Sequence, residues 1–490
     1  MTVFLFAPLA LPLLAALGYA GLGWRRATAW LAPAAAALIL ASAIALAVRV
    51  GRSGPLQAGL LRADALSAFM LIVIGAVALL TMLASPAHLR GEIAADQASE
   101  RTAAQHSLLV QLFLGTMDLA VLAADLGVLW VAIEATTIVT AFLVGQRRTR
   151  AAVEAAWKYV VICSTGIALA LLGTLLLNYA GTHAGTEGLD LASLTGHAHA
   201  LDPGVTRIAV ALLVLGFGAK AGLAPLHAWL PDAHSQAPAP VSALMSGVLL
   251  SVAFYAVLRV KVIADLALDA GFARALLAVM ALASLAVAAT LLLAQRDYKR
   301  MLAYSSIEQL GLVTFGAAIG SPLAIAAALL HVLGHGLAKS VLFLGAGKIL
   351  QRFGTSRIDE VRGLAGRAAL LAGCVGFGVL ALLGLPPFSL FASELGIARA
   401  GFAAGGMGWA TGAALVLVLV IAAALVGHTS HMLLGAPPQR PGPATAPVRL
   451  SPGTAVSLVG GLLVCAVLGV VAGPLSSLLH AAADLLTRTP

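Results

Sequence analysis

Apolar runs of about twenty residues recur along the whole chain, parted by short polar stretches. A helix of that length crosses the hydrocarbon core of a bilayer, and inside it the chain has to bond its own backbone, so each run is read as a helix. Composition agrees: 61% of the 490 residues are hydrophobic and 10% are charged, where a soluble domain carries about a quarter charged. The expected fold is an all-α polytopic membrane protein, one integral membrane domain over 1–490. About fourteen spans are predicted, at 2–23, 28–49, 65–85, 105–124, 126–145, 157–180, 206–229, 240–263, 272–294, 302–320, 322–350, 369–399, 408–434 and 453–481. The fourth and fifth nearly fuse, and Pro386 and Pro387 interrupt the twelfth.

Lysine and arginine in the connections set the expected orientation. If the spans alternate and the N-terminus is outside, most of them fall inside: Arg25 and Arg26, Arg90 and Arg101, Arg147 to Lys158, Arg296 to Arg300, Lys348 to Arg367, Arg440 and Arg449. Fewer, among them Arg488, fall outside. Both termini are therefore expected outside a bacterial or archaeal-type inner membrane, and the net charge of +9 reads as topology rather than as nucleic-acid binding. The opening MTVFLFAPLA lacks a basic region before its apolar run and reads as a retained helix. Cys163, Cys374 and Cys465 lie far apart with no CxxC, which gives neither an iron–sulfur nor a zinc pattern of that kind. The polar loop 181–205 holds His183, His197 and His199, without a carboxylate or cysteine at ligand spacing, and reads as solvated.

Against this background the ionisable residues inside the spans stand out: Asp118, Asp125, Glu134, Lys220, Glu308, His331, His335, Lys339, Glu394, His428 and His431. A charge in hydrocarbon is costly and usually faces the protein interior along a pathway. The stretch KAGLAPLHAWLPDAH (220–234) ends an apolar helix with Lys220 and then breaks it at Pro225. Proline frees backbone carbonyls, which membranes tolerate only where protein or water bonds them, and such interrupted helices mark ion sites in transporters. The device recurs in GLPPFSLFASE, where Gly384, Pro386 and Pro387 precede Glu394, and the recurrence suggests duplicated halves. Glu134, mid-span, would protonate if isolated; Lys220 is the expected partner, and the pair reads as a switchable proton carrier or, more plainly, as a static salt bridge. In HVLGHGLAKSVLF, His331, His335 and Lys339 recur every four residues, on one helix face. HxxxH can bind zinc, but HExxH is absent and the next member is a lysine, a poor ligand; a proton wire is the better reading. Lys299 and Arg300 read as membrane-edge anchors, and His428 and His431 as interfacial.

KAGLAPLHAWLPDAHSQAPAPVSALMSG, RDYKRMLAYSSIEQLG, HVLGHGLAKSVLF and LPPFSLFASE resemble the signatures of the proton-conducting antiporter-like subunits. That family comprises large membrane subunits of complex I, Mrp-type sodium/proton antiporters and membrane arms of energy-converting hydrogenases. IEATTIVTAFLVG with VEAAWKYVVIC resembles the hydrogenase-4 component F branch. The resemblance implies fourteen helices with two inverted five-helix repeats (105–263 and 272–434), broken helices 7 and 12, and peripheral helices in 1–85 and 453–490. It implies that Glu134, Lys220, Glu394, His331, His335 and Lys339 carry protons, with His227, Asp232, Ser251, Glu308 and Asp125 as secondary relay candidates. One departure is that relatives place a Lys or His on helix 8, where this chain has Ser246 and Ser251. The implied function is proton translocation in a redox-driven complex I-like or hydrogenase-4-type complex. No cofactor or metal is expected in this chain; iron–sulfur and nickel–iron centres are expected in partner subunits, on a peripheral redox arm beside further membrane subunits. The alternatives are a Na+(K+)/H+ antiporter subunit, the membrane subunit of an inorganic-carbon uptake complex, and a spacer that has lost transport.

Overall fold

The computed structural model describes residues 3–186, 188–436, 450–471 and 473–487. Arg440, Arg449 and Arg488, used above for orientation, lie outside them. The chain runs α1 (Val3–Leu22), α2 (Leu31–Ser53), a hairpin of β1 (Leu56–Ala58) and β2 (Leu61–Ala63), α3 (Ala65–Ala94), α4 (Glu100–Leu122), α5 (Leu126–Val144) and α6 (Arg150–His183). Then follow α7 (Leu191–Gly196), α8 (Pro203–Lys220), α9 (Trp229–Gln236), α10 (Ala239–Leu244), a π-helical turn (Met245–Leu249), α11 (Leu250–Ala267), α12 (Ala270–Leu293), α13 (Tyr298–Ile319) and α14 (Pro322–Phe353). The rest is α15 (Leu364–Arg367), α16 (Ala369–Leu382), α17 (Ser389–Ala403), α18 (Gly408–Leu434), α19 (Pro452–Val470) and α20 (Gly473–Leu486). Among the described residues twelve helices are long and apolar enough to cross a membrane.

Helices form at each of the fourteen expected places, with four differences of detail. The third span, expected over 65–85, runs on as α3 through Pro86 to Ala94. Loop 181–205 contains α7, capped by Asp190. The β1–β2 hairpin, turning at Gly59, has a positive φ that suits glycine. The expected span 453–481 is two helices, α19 and α20, and α20 packs on α3 and α14.

Burial sorts the helices. Every residue in the most apolar 18-residue window of 239–267 and of α14 is buried, against about a third in α1 and α18. The outer helices turn large apolar side chains outward, such as Phe142, Trp157, Leu419 and Trp409, as a lipid-facing surface does. The centre is therefore α14 and α10–α11, wrapped by α3, α13, α16, α17 and α19. The two central helices touch at glycine: a Cβ on Gly336 would stand 2.8 Å from the carbonyl oxygen of Gly247, in the π turn. Any side chain there would push the helices apart.

Candidate functional site

The first break separates α8 from α9. Gly222, at φ +78°, turns the chain, and the Ala224–Pro225 peptide is cis. The backbone groups that the break frees find side chains: the Trp229 indole N–H donates to Ala219 O (2.9 Å), and the Ala224 N–H to Ser284 Oγ (2.9 Å). Lys220, fully buried at the end of α8, donates to Thr137 Oγ1 (2.8 Å) and to the Tyr159 hydroxyl (2.5 Å), with Tyr159 edge-on to Trp229. Glu134 accepts from Ser164 (3.3 Å), and its second oxygen is buried without a partner. The ion pair expected between Glu134 and Lys220 is not closed. Thr137, one turn along α5 from Glu134, and Tyr159 take the ammonium instead, so neutral hydroxyls stand where the carboxylate was expected.

The second break separates α16 from α17 and carries the cis Pro386–Pro387 peptide. Gly384 has φ +59°, and a Cβ there would overlap the Glu394 carboxylate, which lies back against the break. Glu394 is partly buried, with Oε1 unpartnered. Leu382, the last residue of α16, has a carbonyl with no helical partner, and Gln309 Nε2 donates to it (3.3 Å). That fixes the amide, so Gln309 Oε1 faces His331 Nε2 at 2.8 Å, and Nε2 must carry the hydrogen. His331 Nδ1 lies 2.9 Å from Ser393 Oγ, which also lies 2.9 Å from Leu390 O. One hydroxyl proton serves only one of them: a neutral His331 accepts it, and a protonated His331 turns it toward Leu390.

Between the breaks lies the α14 row. His331, His335 and Lys339 are all fully buried. Lys339 donates to Leu302 O (2.7 Å) and Ser305 Oγ (2.5 Å), both on α13. Glu308, one turn further along α13, is buried with Oε2 unpartnered and forms no ion pair with Lys339. Neither ring nitrogen of His335 has a partner. On α10–α11, Ser246 pairs with Ser306 (2.7 Å), and Ser251 is buried with its hydroxyl unpartnered.

A profile of the family described as "NADH:quinone oxidoreductase/Mrp antiporter, TM" matches residues 123–422, which include both breaks and the α14 row. The chain belongs to this family. It is 39% identical over 343 residues to the hydrogenase-4 component F homolog of Methylacidiphilum infernorum, covering 69% of this chain and 72% of that one. It is 33% identical over 349 residues to hydrogenase-4 component B of Escherichia coli, covering 68% of this chain and half of that longer protein. A solved subunit of the membrane-bound sulfane sulfur reductase, an archaeal respiratory membrane complex, superposes with a TM-score of 0.87 at 26% identity, over 100% of this chain and 98% of that one. The protein is a multi-pass membrane protein of the antiporter-like family, and this solved relative is one subunit of a larger membrane complex.

Several sequence candidates have structural duties in this family member. Asp125 caps α5, accepting from the N–H groups of Gly127 (2.7 Å) and Val128 (3.2 Å). Asp232 bridges Arg300 (2.5 Å) and Lys158 (3.1 Å), tying α9 to α13 and α6. Arg300 is thus an ion-pair partner, and Lys299, read as an edge anchor, is instead buried with its ammonium on Ser235 O and Ala237 O. His227 lies half-exposed in the first break, its Nδ1 unpartnered. Asp118 is fully buried on α4 with both oxygens unpartnered. His428 bonds Leu292 O (3.0 Å), and His431 is exposed. Missed from sequence were the neutral members: Thr137, Tyr159, Ser164, Gln309 and Ser393. Their one signal was sequence proximity to a charged residue: Tyr159 follows Lys158, Gln309 follows Glu308, Ser393 precedes Glu394, and Thr137 lies one turn from Glu134.

Proposed function

We propose that this chain moves protons across the membrane as one subunit of a redox-driven complex of the hydrogenase-4 or complex I kind. The observation that carries the reading is the chain of buried and partly buried ionisable and hydroxyl side chains from Glu134 and Lys220, through Lys339, His335 and His331, to Glu394, bounded by two broken helices. Burying so many titratable groups costs stability, and a proton path gives that cost a use. Segments 105–263 and 272–434 act as two inverted halves, one around each break. Electrons travel in partner subunits, on a peripheral arm with iron–sulfur and nickel–iron centres, while further membrane subunits flank this one. Both termini face outward from a bacterial or archaeal-type cell membrane.

The test is to purify the chain in mild detergent, identify its partners by mass spectrometry, and follow dye-reported acidification of vesicles holding the whole complex, with NADH or H2 as donor. Iron–sulfur subunits and donor-dependent acidification, lost in Lys220→Ala and Glu134→Ala complexes that still assemble, are the expected result. Small membrane subunits alone, with a dye response to Na+ or K+ in the absence of any donor, would overturn it in favour of cation/proton antiport. A lone soluble zinc protein would overturn it in favour of carbon uptake.

A further inference from the structure

Helix α19 lies beyond the segment 123–422 that carries the family match. Small residues recur on it at every fourth place: Gly453, Ser457, Gly461, Cys465 and Gly469. Inside a membrane such a series lets helix backbones approach closely. A Cβ on Gly453 would stand 2.4 Å from Leu83 O, and Ser457 Oγ donates to Leu80 O (2.6 Å), both on α3. A Cβ on Gly461 would stand 2.8 Å from the Val341 side chain of α14. The last two members reach the second break.

Gly469 is pressed on the break itself. A Cβ there would stand 2.0 Å from Pro387 O, 2.5 Å from the Phe388 carbonyl carbon and 2.7 Å from Ser389 N. These are backbone atoms, so no side-chain rotation makes room; the break would have to move by more than about 1 Å to regain ordinary contact. Ser389 opens α17 and is fully buried. Its hydroxyl lies 3.4 Å from Cys465 Sγ, and that thiol donates to Gly334 O at 3.9 Å. On the other side, a Cβ on Gly334, in α14 between His331 and His335, would stand 2.4 Å from Ser389 Oγ. The start of α17 is thus clasped between α14 and α19. One turn further along α17, Ser393 meets His331 (2.9 Å), and Glu394 leans on Gly384. The first break is bonded instead from α12, inside the matched segment, through Ser284.

We propose that Gly469 and Cys465 are positioning residues for the second break. In this reading α19 is a fixed seat that sets the height of α17, and with it the Ser393–His331 bond and the Glu394 carboxylate, throughout turnover. The inference rests on the proton-translocation reading above. The plainer role of the series is helix packing alone.

Gly469→Ala separates the two roles, with Gly460→Ala as its control, because a Cβ on Gly460 meets nothing within 4 Å. In vesicles carrying the whole complex, with NADH or H2 as donor, Gly469→Ala is expected to lower acidification per turnover about tenfold or more, the scale of a misplacement of about 1 Å. Gly460→Ala is expected to match wild type. Wild-type acidification in an assembled Gly469→Ala complex would overturn the assignment.

Ser389→Cys tests the seat without crowding it, and decides the matter if Gly469→Ala does not assemble. Copper phenanthroline is expected to join the introduced thiol to Cys465, seen as linked peptides by mass spectrometry, with equal acidification before and after dithiothreitol. No link would overturn the contact. Acidification that returns only with dithiothreitol would overturn the fixed seat. Wild-type vesicles that never acidify would count instead against the proton-translocation reading. The seat is then judged on its own by 15N NMR of the histidine-labelled complex in bilayers. The resonance missing from His331→Phe is expected to shift in Gly469→Ala and to stay in place in Gly460→Ala; an unshifted resonance in both would overturn the link from α19 to His331.

Discussion

The two broken helices solve one problem in two ways. At the first, the charged group precedes the break: Lys220 ends α8, wholly buried, and its ammonium is bonded by neutral hydroxyls. At the second, the charged group follows the break: Glu394 begins the second turn of α17, partly exposed, and leans on Gly384. The freed backbone differs too. A tryptophan and a serine bond the first break, and neither is connected to a titratable group through those bonds. At the second, Gln309 bonds the carbonyl of Leu382 with one end of its amide and His331 with the other. The first break therefore houses a proton-bearing group, whereas the second is wired to one. A change of charge on His331 is felt by the backbone of α16 through a single amide.

The largest effect should come from Lys220→Met, which removes the proton-bearing group of the first break: donor-driven acidification is expected to fall on the order of a hundredfold in a complex that still assembles. Acidification near wild type would erase the contrast, since the first break would then be scaffolding. Gln309→Leu attacks the wiring of the second break. It leaves Leu382 O without its donor, at about 1–3 kcal/mol, and frees His331. Thermal unfolding should fall and acidification should weaken together, whereas the conservative Gln309→Asn should recover neither, being too short to bridge. Gly384→Ala strains a left-handed φ, at about 1–2 kcal/mol, and pushes the Glu394 carboxylate off the break. A melting temperature equal to wild type would show that Glu394 does not lean there.

The smallest effect lies away from both breaks and calibrates them. Asp64, just before α3, is buried, which alone would raise its pKa. The Arg259 guanidinium, with hydrogen bonds of 2.7 and 2.8 Å, and the Ser67 N–H overcome this and hold it down at about 2. A carboxyl depressed in the folded state stabilises the fold above its ordinary value near 3.8, and that stability is lost as pH falls toward 2. Unfolding of the wild type should lose about 2 kcal/mol over that interval, and Asp64→Asn should flatten it, while acidification near neutral pH stays unchanged.

The membrane fold was legible because length and apolarity alone determine a crossing helix, and proline in an apolar run marked both breaks. The end of the third span was misplaced, because α3 runs on past residue 85 through Pro86 to Ala94. Charged residues were legible as a set because hydrocarbon makes each of them conspicuous. Their partners were not, because a serine, threonine or glutamine costs little in an apolar run and leaves little trace. That is why the Glu134–Lys220 pair read as closed: the sequence displays two charges and hides Thr137 and Tyr159 between them. Asp125 shows a similar ambiguity, since a carboxylate just before an apolar run is equally the signature of a helix cap, the bonding the structure gives it. His234 stood in the first motif and went unread because only the α9 fold brings it against α14, stacked on Phe343.

An α-helix turns 100° per residue, so groups placed every four residues do not stand one above another; each is rotated by about 40° from the last. Over the three steps from His331 to Phe343 the series on α14 winds through about 120°. His331 thus looks toward α17 and the second break, Lys339 toward α13, and Phe343 toward α9, just beyond the first break. A strict row would have served one neighbour. The four-residue step makes a spiral stair of the same helix, which offers a different buried group to each neighbour in turn while the contact of Gly336 with Gly247 holds it against the π turn.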